Sequence, residues 1–235
     1  MEERQDHKRK QNFFKQSDAP RIVGLGLLLV GFILLFCSGY LDVKYVLVIF
    51  AWIAMPVGLV LFIVAGSVRT NEEDMDKHME DQLLGLEISA AEEDKYRKRL
   101  LPQKHPRVLE GYEYREGLRL RRDKVNTLRS SEFSRTLLYL LRDGFFLVTR
   151  TISLLDSEQR EQRVEIRLED ISEVAIVEEQ KHLTFENRQF EARDVRLSFR
   201  YHDGSSYSVP VHRDMELEEF TELCREWLAA GEISL

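Results

Sequence analysis

The stretch 134-SRTLLYLLRDGFFLVTRTIS-153 reads as two strands around a turn. Apolar and β-branched residues fill both flanks, and Arg142-Asp143-Gly144 between them carries the Asp-Gly pair that signals a β-hairpin. Strands are therefore expected near 134–142 and 145–153. Further along, Val164, Ile166 and Leu168 alternate with charged residues, as do Val195, Leu197, Phe199 and Tyr201, and then Tyr207, Val209 and Val211. That period of two belongs to strands that bury one face. A second Asp-Gly turn stands at His202-Asp203-Gly204.

The full set of expected strands is 107–115, 134–142, 145–153, 162–168, 172–178, 193–202 and 206–212, joined as an antiparallel meander. Leu217, Phe220, Leu223, Cys224, Trp227 and Leu228 then recur at helical spacing behind Asp214, a good N-cap residue. A helix closes the domain.

Upstream, residues 69–102 form a charged helical stalk in which Met75, Met79, Leu83 and Leu86 mark one narrow apolar face. Between Glu72 and Asp94 only Lys77 offsets a run of acidic residues, and Ser89 with Glu92 has capping-box spacing. Before the stalk stand two uncharged runs, Ile22 to Leu41 and Tyr45 to Val68, separated by Asp42, Val43 and Lys44. Each has the length of a membrane-crossing helix, and so short a gap makes them an antiparallel transmembrane hairpin. Arg4, Lys8, Arg9, Lys10, Lys15 and Arg21 lie in the basic arm 1–21, whereas the gap holds only Lys44. The positive-inside rule then places both termini in the cytoplasm of a multi-pass cell inner-membrane protein. Gly24 with Gly31, and Ala54 with Gly58, are the small residues expected to let the two helices approach.

Strands followed by one amphipathic helix with an inward tryptophan, together with Leu147-Val148-Thr149-Arg150 and the run Ile166 to Val174, resemble the bacterial PH-like domain. With the preceding hairpin, the layout is similar to bacterial PH-like-domain membrane proteins of the YcxB-like kind. The resemblance implies an α+β membrane protein: transmembrane hairpin, helical acidic stalk, and a PH-like antiparallel β-barrel over 107–230 closed by a C-terminal helix. It also implies a binding module rather than a catalyst. Such domains offer a basic mouth for an anionic headgroup, or a strand edge and helix groove for a peptide. The candidate mouth is Arg115, Arg119, Arg121, Arg122, Lys124, Arg129 and Arg135, interrupted by Glu116, Asp123 and Glu132. Whether 107–129 belongs to the barrel is open at this point.

Nothing in the chain reads as catalytic machinery. The 6 histidines show no metal-ligand spacing with each other or with Cys37 and Cys224, and neither a phosphate loop nor a nucleophile elbow occurs. No enzyme activity, cofactor or metal is expected. An excess of 41 acidic over 34 basic residues argues against general nucleic-acid binding. The expected partners are membrane lipids and a protein, or further copies of the chain in the membrane. The leading expectation is a non-enzymatic, membrane-anchored module that engages a protein partner in an assembly, adaptor or regulatory role. The alternatives are an anionic-lipid sensor acting through the basic patch and a transporter regulator contacting its target through the hairpin.

Overall fold

A computed structural model describes residues 14, 19–37, 44–67, 72–101, 106–123, 126–156 and 158–233, with side chains of the first two long helices described over 22–36 and 48–63. The chain divides into two compact units, Met1–Met75 and Asp76–Leu235.

In the first unit, helices α1 (Ala19–Cys37) and α2 (Lys44–Ser67) pack against each other. Gly24 meets Gly58, and Gly31 meets Met55 and the carbonyl of Ala51, so the helices run antiparallel with small residues seven apart on each. Ala54, expected beside Gly58, is only half-buried; the fully buried small residue is Ala51, one heptad from Gly58. α2 continues through Pro56. The outward side chains, among them Phe32, Phe36, Phe50 and Trp52, are apolar and exposed.

Among the described residues no helix is long and apolar enough to cross a membrane. This corrects the expected transmembrane helices at 22–41 and 45–68, the membrane hairpin built from them, and the multi-pass inner-membrane location. The expected turn at Asp42 and Val43, and the basic arm apart from Phe14, Ala19, Pro20 and Arg21, lie outside the described residues.

The second unit is built on a four-stranded antiparallel sheet. In spatial order it holds β1 (Arg107–Tyr112), β4 (Glu132–Leu141), β5 (Gly144–Ser153) and β6 (Gln159–Arg167). A three-stranded antiparallel sheet follows, β7 (Ile171–Phe185), β8 (Arg188–Tyr201) and β9 (Ser206–Pro210), and β2 (Leu120–Arg122) pairs with β3 (Leu128–Ser130) as a separate hairpin. Helix α5 (Met215–Ala230) opens on Asp214, whose Oδ1 accepts the Leu217 N–H at 2.7 Å, and ends on Gly231 in the left-handed region.

Register explains why β4 and β5 read as near-continuous apolar runs. Ser134, Thr136, Leu138 and Leu140 of β4 stand opposite Thr151, Thr149, Leu147 and Phe145 of β5, all on one face. The apolar half of that face joins Leu109, Ile166, Val174, Leu197, Phe199, Phe220 and Trp227 in the main core. On the other face Leu137, Tyr139, Leu141, Phe146 and Val148 pack with Leu86 and Tyr96. A strand covered on both sides loses the alternation that a half-exposed strand shows.

The cover on that second face comes from the expected stalk. Helix α3 (Glu72–Leu83), from Asp76 onward, and α4 (Ala90–Tyr96) belong to the same compact unit as the sheets, so these residues form a layer of the domain. α4 starts with the expected capping box: Ser89 Oγ accepts the Glu92 N–H, and the Glu92 carboxylate accepts the Ser89 N–H at 2.9 Å. Arg99 continues the attachment by donating to Asp143 at 2.8 Å and Glu165 at 2.7 Å.

The expected closed barrel is also corrected. Neither β6 with β7 nor β1 with β9 shares a ladder. Between β6 and β7 a 3-10 turn, Leu168–Asp170, sends its backbone groups to loops: Leu168 N–H donates to Asp143 O, and Asp170 O accepts from His202 N–H. At the other seam β9 ends on Pro210, which has no N–H to donate. The chains instead cross closely there, since a Cβ at Gly111 would lie 2.9 Å from the Pro210 carbonyl carbon and the Val211 nitrogen. The architecture is an α+β arrangement of a four-stranded and a three-stranded antiparallel sheet, a separate two-stranded hairpin and helical covers. Residues 107–112 belong to the main sheet, whereas β2 and β3 form the side hairpin over Leu183, Phe190 and Ala192.

Candidate functional site

Six of the seven cations of the expected basic mouth are among the described residues, and three of them pair with acids of the domain. Arg115 donates to Glu132 at 2.6 Å. Arg129 is clamped between Asp76 of α3 and Asp123, the latter at 3.2 Å. Arg135, on the helix-covered face of β4, pairs with Glu110 and with Glu80 of α3 at 2.8 Å. Burial works against the charges of Arg129 and Arg135, yet the hydrogen bonds they donate to their carboxylate partners overcome it and hold both pKa values above the ordinary arginine value. Tyr112, also near Asp76 and Arg129, is pushed up to about 12, mainly by burial. Arg122 donates to Asn126 O at 3.0 Å, and Arg121 stands opposite Arg129 in the β2–β3 ladder. Arg119 is half-buried with its N–H on Ser131 Oγ, and Lys124 lies outside the described residues. Three of these cations are thus spent on internal acids, two of which come from the segment read as a stalk.

A different place has the shape of a site. Between β1 and α5 lies a groove of about 680 Å³, with Leu109, Leu138, Leu140, Val211, Phe220 and Trp227 on its floor and walls. Arg107 crosses it, its guanidinium 4.7 Å from the Phe220 ring centre and donating to Glu216 O at 3.0 Å. Leu223 of α5 and Val108 of β1 are exposed at the rim, 44% and 52% respectively.

β1 is an edge strand, and its open edge faces away from β4 at even-numbered residues. Glu113 N–H donates to Glu132 O, and bonded pairs in an antiparallel ladder recur every second residue. Gly111 with Ser134 and Leu109 with Thr136 are then the bonded pairs. The N–H and C=O of Val108, Glu110 and Tyr112 therefore point outward, a row that another extended segment can extend.

No family model matches the chain, and no curated protein or solved structure matches it either.

The groove offers apolar area, an aromatic face, an open strand edge and a few carboxylates. Among the described residues no group of three or more His, Cys, Asp or Glu is placed to hold a metal ion. Cys224 is on the buried face of α5, and burial pushes its thiol pKa up, which keeps it protonated and unreactive.

The strand edge and helix groove implied by the resemblance have no residues attached to them by the sequence alone. One signal was available. Leu223 lies one residue before Cys224 in the apolar pattern, so a helix that buries Cys224, Phe220 and Trp227 turns Leu223 toward the edge of its buried stripe.

Proposed function

We propose that this chain is a non-enzymatic binding protein whose two-sheet domain engages a protein partner, taking an extended segment of it into the groove between β1 and α5. The observation that carries the reading is the coincidence of an unpaired strand edge at Val108, Glu110 and Tyr112 with an apolar trough lined by Phe220 and Trp227. Main-chain hydrogen bonds along the edge supply affinity without regard to sequence, and the trough selects side chains at alternate positions. An edge left open and apolar at Val108 is otherwise an aggregation hazard, which a bound segment removes. The internal pairing of Arg115, Arg129 and Arg135 turns the proposal away from the basic patch and toward this groove.

Site-specific photo-crosslinking in the intact full-length protein tests it. A crosslinking side chain at Val108 or Leu223 should capture one and the same partner, and one at Glu173 or Glu191 should not. Val108→Pro, which removes an outward N–H and no ladder hydrogen bond, should abolish capture from Leu223. Equal capture from all four positions would refute the reading.

A further inference from the structure

The charge around the groove identifies the chemistry of its occupant, an inference that rests on the docking reading above. We propose that the groove receives a cationic extended segment in which apolar residues alternate with arginine or lysine.

Three observations converge on this. First, Glu216, Glu219, Leu223 and Glu226 follow one another on α5 at spacings of three, four and three, which places them along one side of the helix. Glu216 and Leu223 line the groove, so the stripe runs along its rim. Second, these acids are uncommitted. Glu218 pairs with Arg213 at 2.8 Å and Glu222 with Arg225 at 2.5 Å, whereas Glu216, Glu219 and Glu226 have no ion pair among the described residues. Third, the groove already accommodates a cation. The Arg107 side chain crosses it, lays its guanidinium against Phe220 and donates to a backbone carbonyl of α5.

Side chains of a segment added to β1 that point toward α5 meet the apolar floor first and carboxylates at the rim. A long apolar stem with a cationic head fits that sequence of environments, because the stem packs on Leu223 while the head reaches Glu219 or Glu226. An acidic segment would place its carboxylates against three unpaired glutamates.

The test uses the full-length protein and fluorescently labelled peptides about ten residues long, in which valine alternates with arginine, serine or glutamate. Fluorescence anisotropy should show the arginine peptide binding about tenfold more tightly than the serine peptide, the sum of three partly exposed ion pairs. The glutamate peptide should bind most weakly. Replacing Glu216, Glu219 and Glu226 with Gln should erase the preference for arginine. The same number of exposed acids changed elsewhere, Glu169, Glu186 and Glu191 to Gln, should leave it intact and so control for the overall negative charge of −7. Equal affinity for the arginine and serine peptides, or an equal loss in the control variant, overturns the cationic inference while leaving the groove as a peptide site. Failure of all three peptides to bind, or binding that survives both Val108→Pro and Leu223→Asp, overturns the groove reading itself.

Discussion

Gly24 of α1 and Gly58 of α2 face each other backbone to backbone: a Cβ on either residue would stand 2.8 Å from the carbonyl oxygen of the other. Neither oxygen can yield without moving a helix. Gly24→Ala should therefore destabilise the helix pair by about 1–3 kcal/mol, the usual cost of overpacking. Gly26, two residues on, has open space where its Cβ would be, so Gly26→Ala should be neutral or stabilising by up to about 1 kcal/mol through helix propensity alone. Thermal unfolding of the two full-length variants by circular dichroism separates them. Equal melting behaviour would show that the close approach carries no energetic weight.

The β7–β8 hairpin turns through Glu186 and Asn187, both at positive φ, 48° and 62°. Two residues with positive φ between paired strands are what a type I′ turn requires, and Glu is poorly suited to its first position. Glu186→Asn with Asn187→Gly should stabilise the domain by about 0.5–1 kcal/mol. A raised denaturation midpoint at unchanged denaturant dependence is the expected result, and a lowered midpoint would contradict the turn assignment.

That turn marks a boundary of what the sequence discloses. The Asp-Gly pairs at 143–144 and 203–204 located two hairpins, although they act differently. Gly204 has a φ of 86°, as a turn glycine should. Gly144 has no positive φ; it is small because a Cβ there would collide with Ile166 O across the ladder. Glu186-Asn187 carries neither signal, so β7 and β8 extend past the expected ends at 178 and 193 to residues 185 and 188. Their far halves are covered by Leu120 and Leu128 of the side hairpin, a long-range contact with no local signature. The acidic run of α3 reads as a solvated stalk because its arginine partners lie 53 and 55 residues away. The expected basic mouth meets the same limit, since Arg115, Arg129 and Arg135 each pair with an acid: charge clusters along the chain do not reveal which opposite charges the fold brings to them. Strand periodicity and capping are local, which is why β4, β5, the start of α4 and the start of α5 are legible in the chain.

Asp194 is a buried carboxylate whose Oδ2 lies 2.7 Å from Lys181 Nζ and 3.0 Å from Arg196 Nε, with its side chain 1% exposed. Arg196 also pairs with Glu113, which in turn accepts from Ser134 Oγ at 3.2 Å. Asp194→Ala leaves two cations without their shared acid and should cost about 3–5 kcal/mol. Lys181→Met in that background should recover part of the loss, because one of the stranded charges is gone. Urea denaturation of the single and double variants measures this. A double variant less stable than Asp194→Ala would rule out a role for Lys181 as the stranded partner.

Acid should loosen the seat of α4 on the sheet. Burial alone would raise the pKa of Glu165, but hydrogen bonds from Arg99 and Tyr96, aided by the charges of Arg99 and Lys95, bring it below the ordinary carboxylate value. Glu92 and Glu161 are held low in the same way, against burial, by Ser89 with Arg163 and by Arg150 with Arg163. A carboxyl whose pKa is lower folded than unfolded binds fewer protons in the folded state. Its contribution is present in full above the unfolded value of about 4.3 and is lost as pH falls through the folded value. Since Glu165 accepts from Tyr96 of α4 and from Arg99, the affected contact is the seat of α4 on β6. Glu165→Gln should lower the denaturation midpoint at pH 7 and make it less sensitive to acid, so that the gap from the unmodified protein narrows toward pH 3. A gap that stays constant over that range would place the stabilising role of Glu165 in packing rather than in its charge.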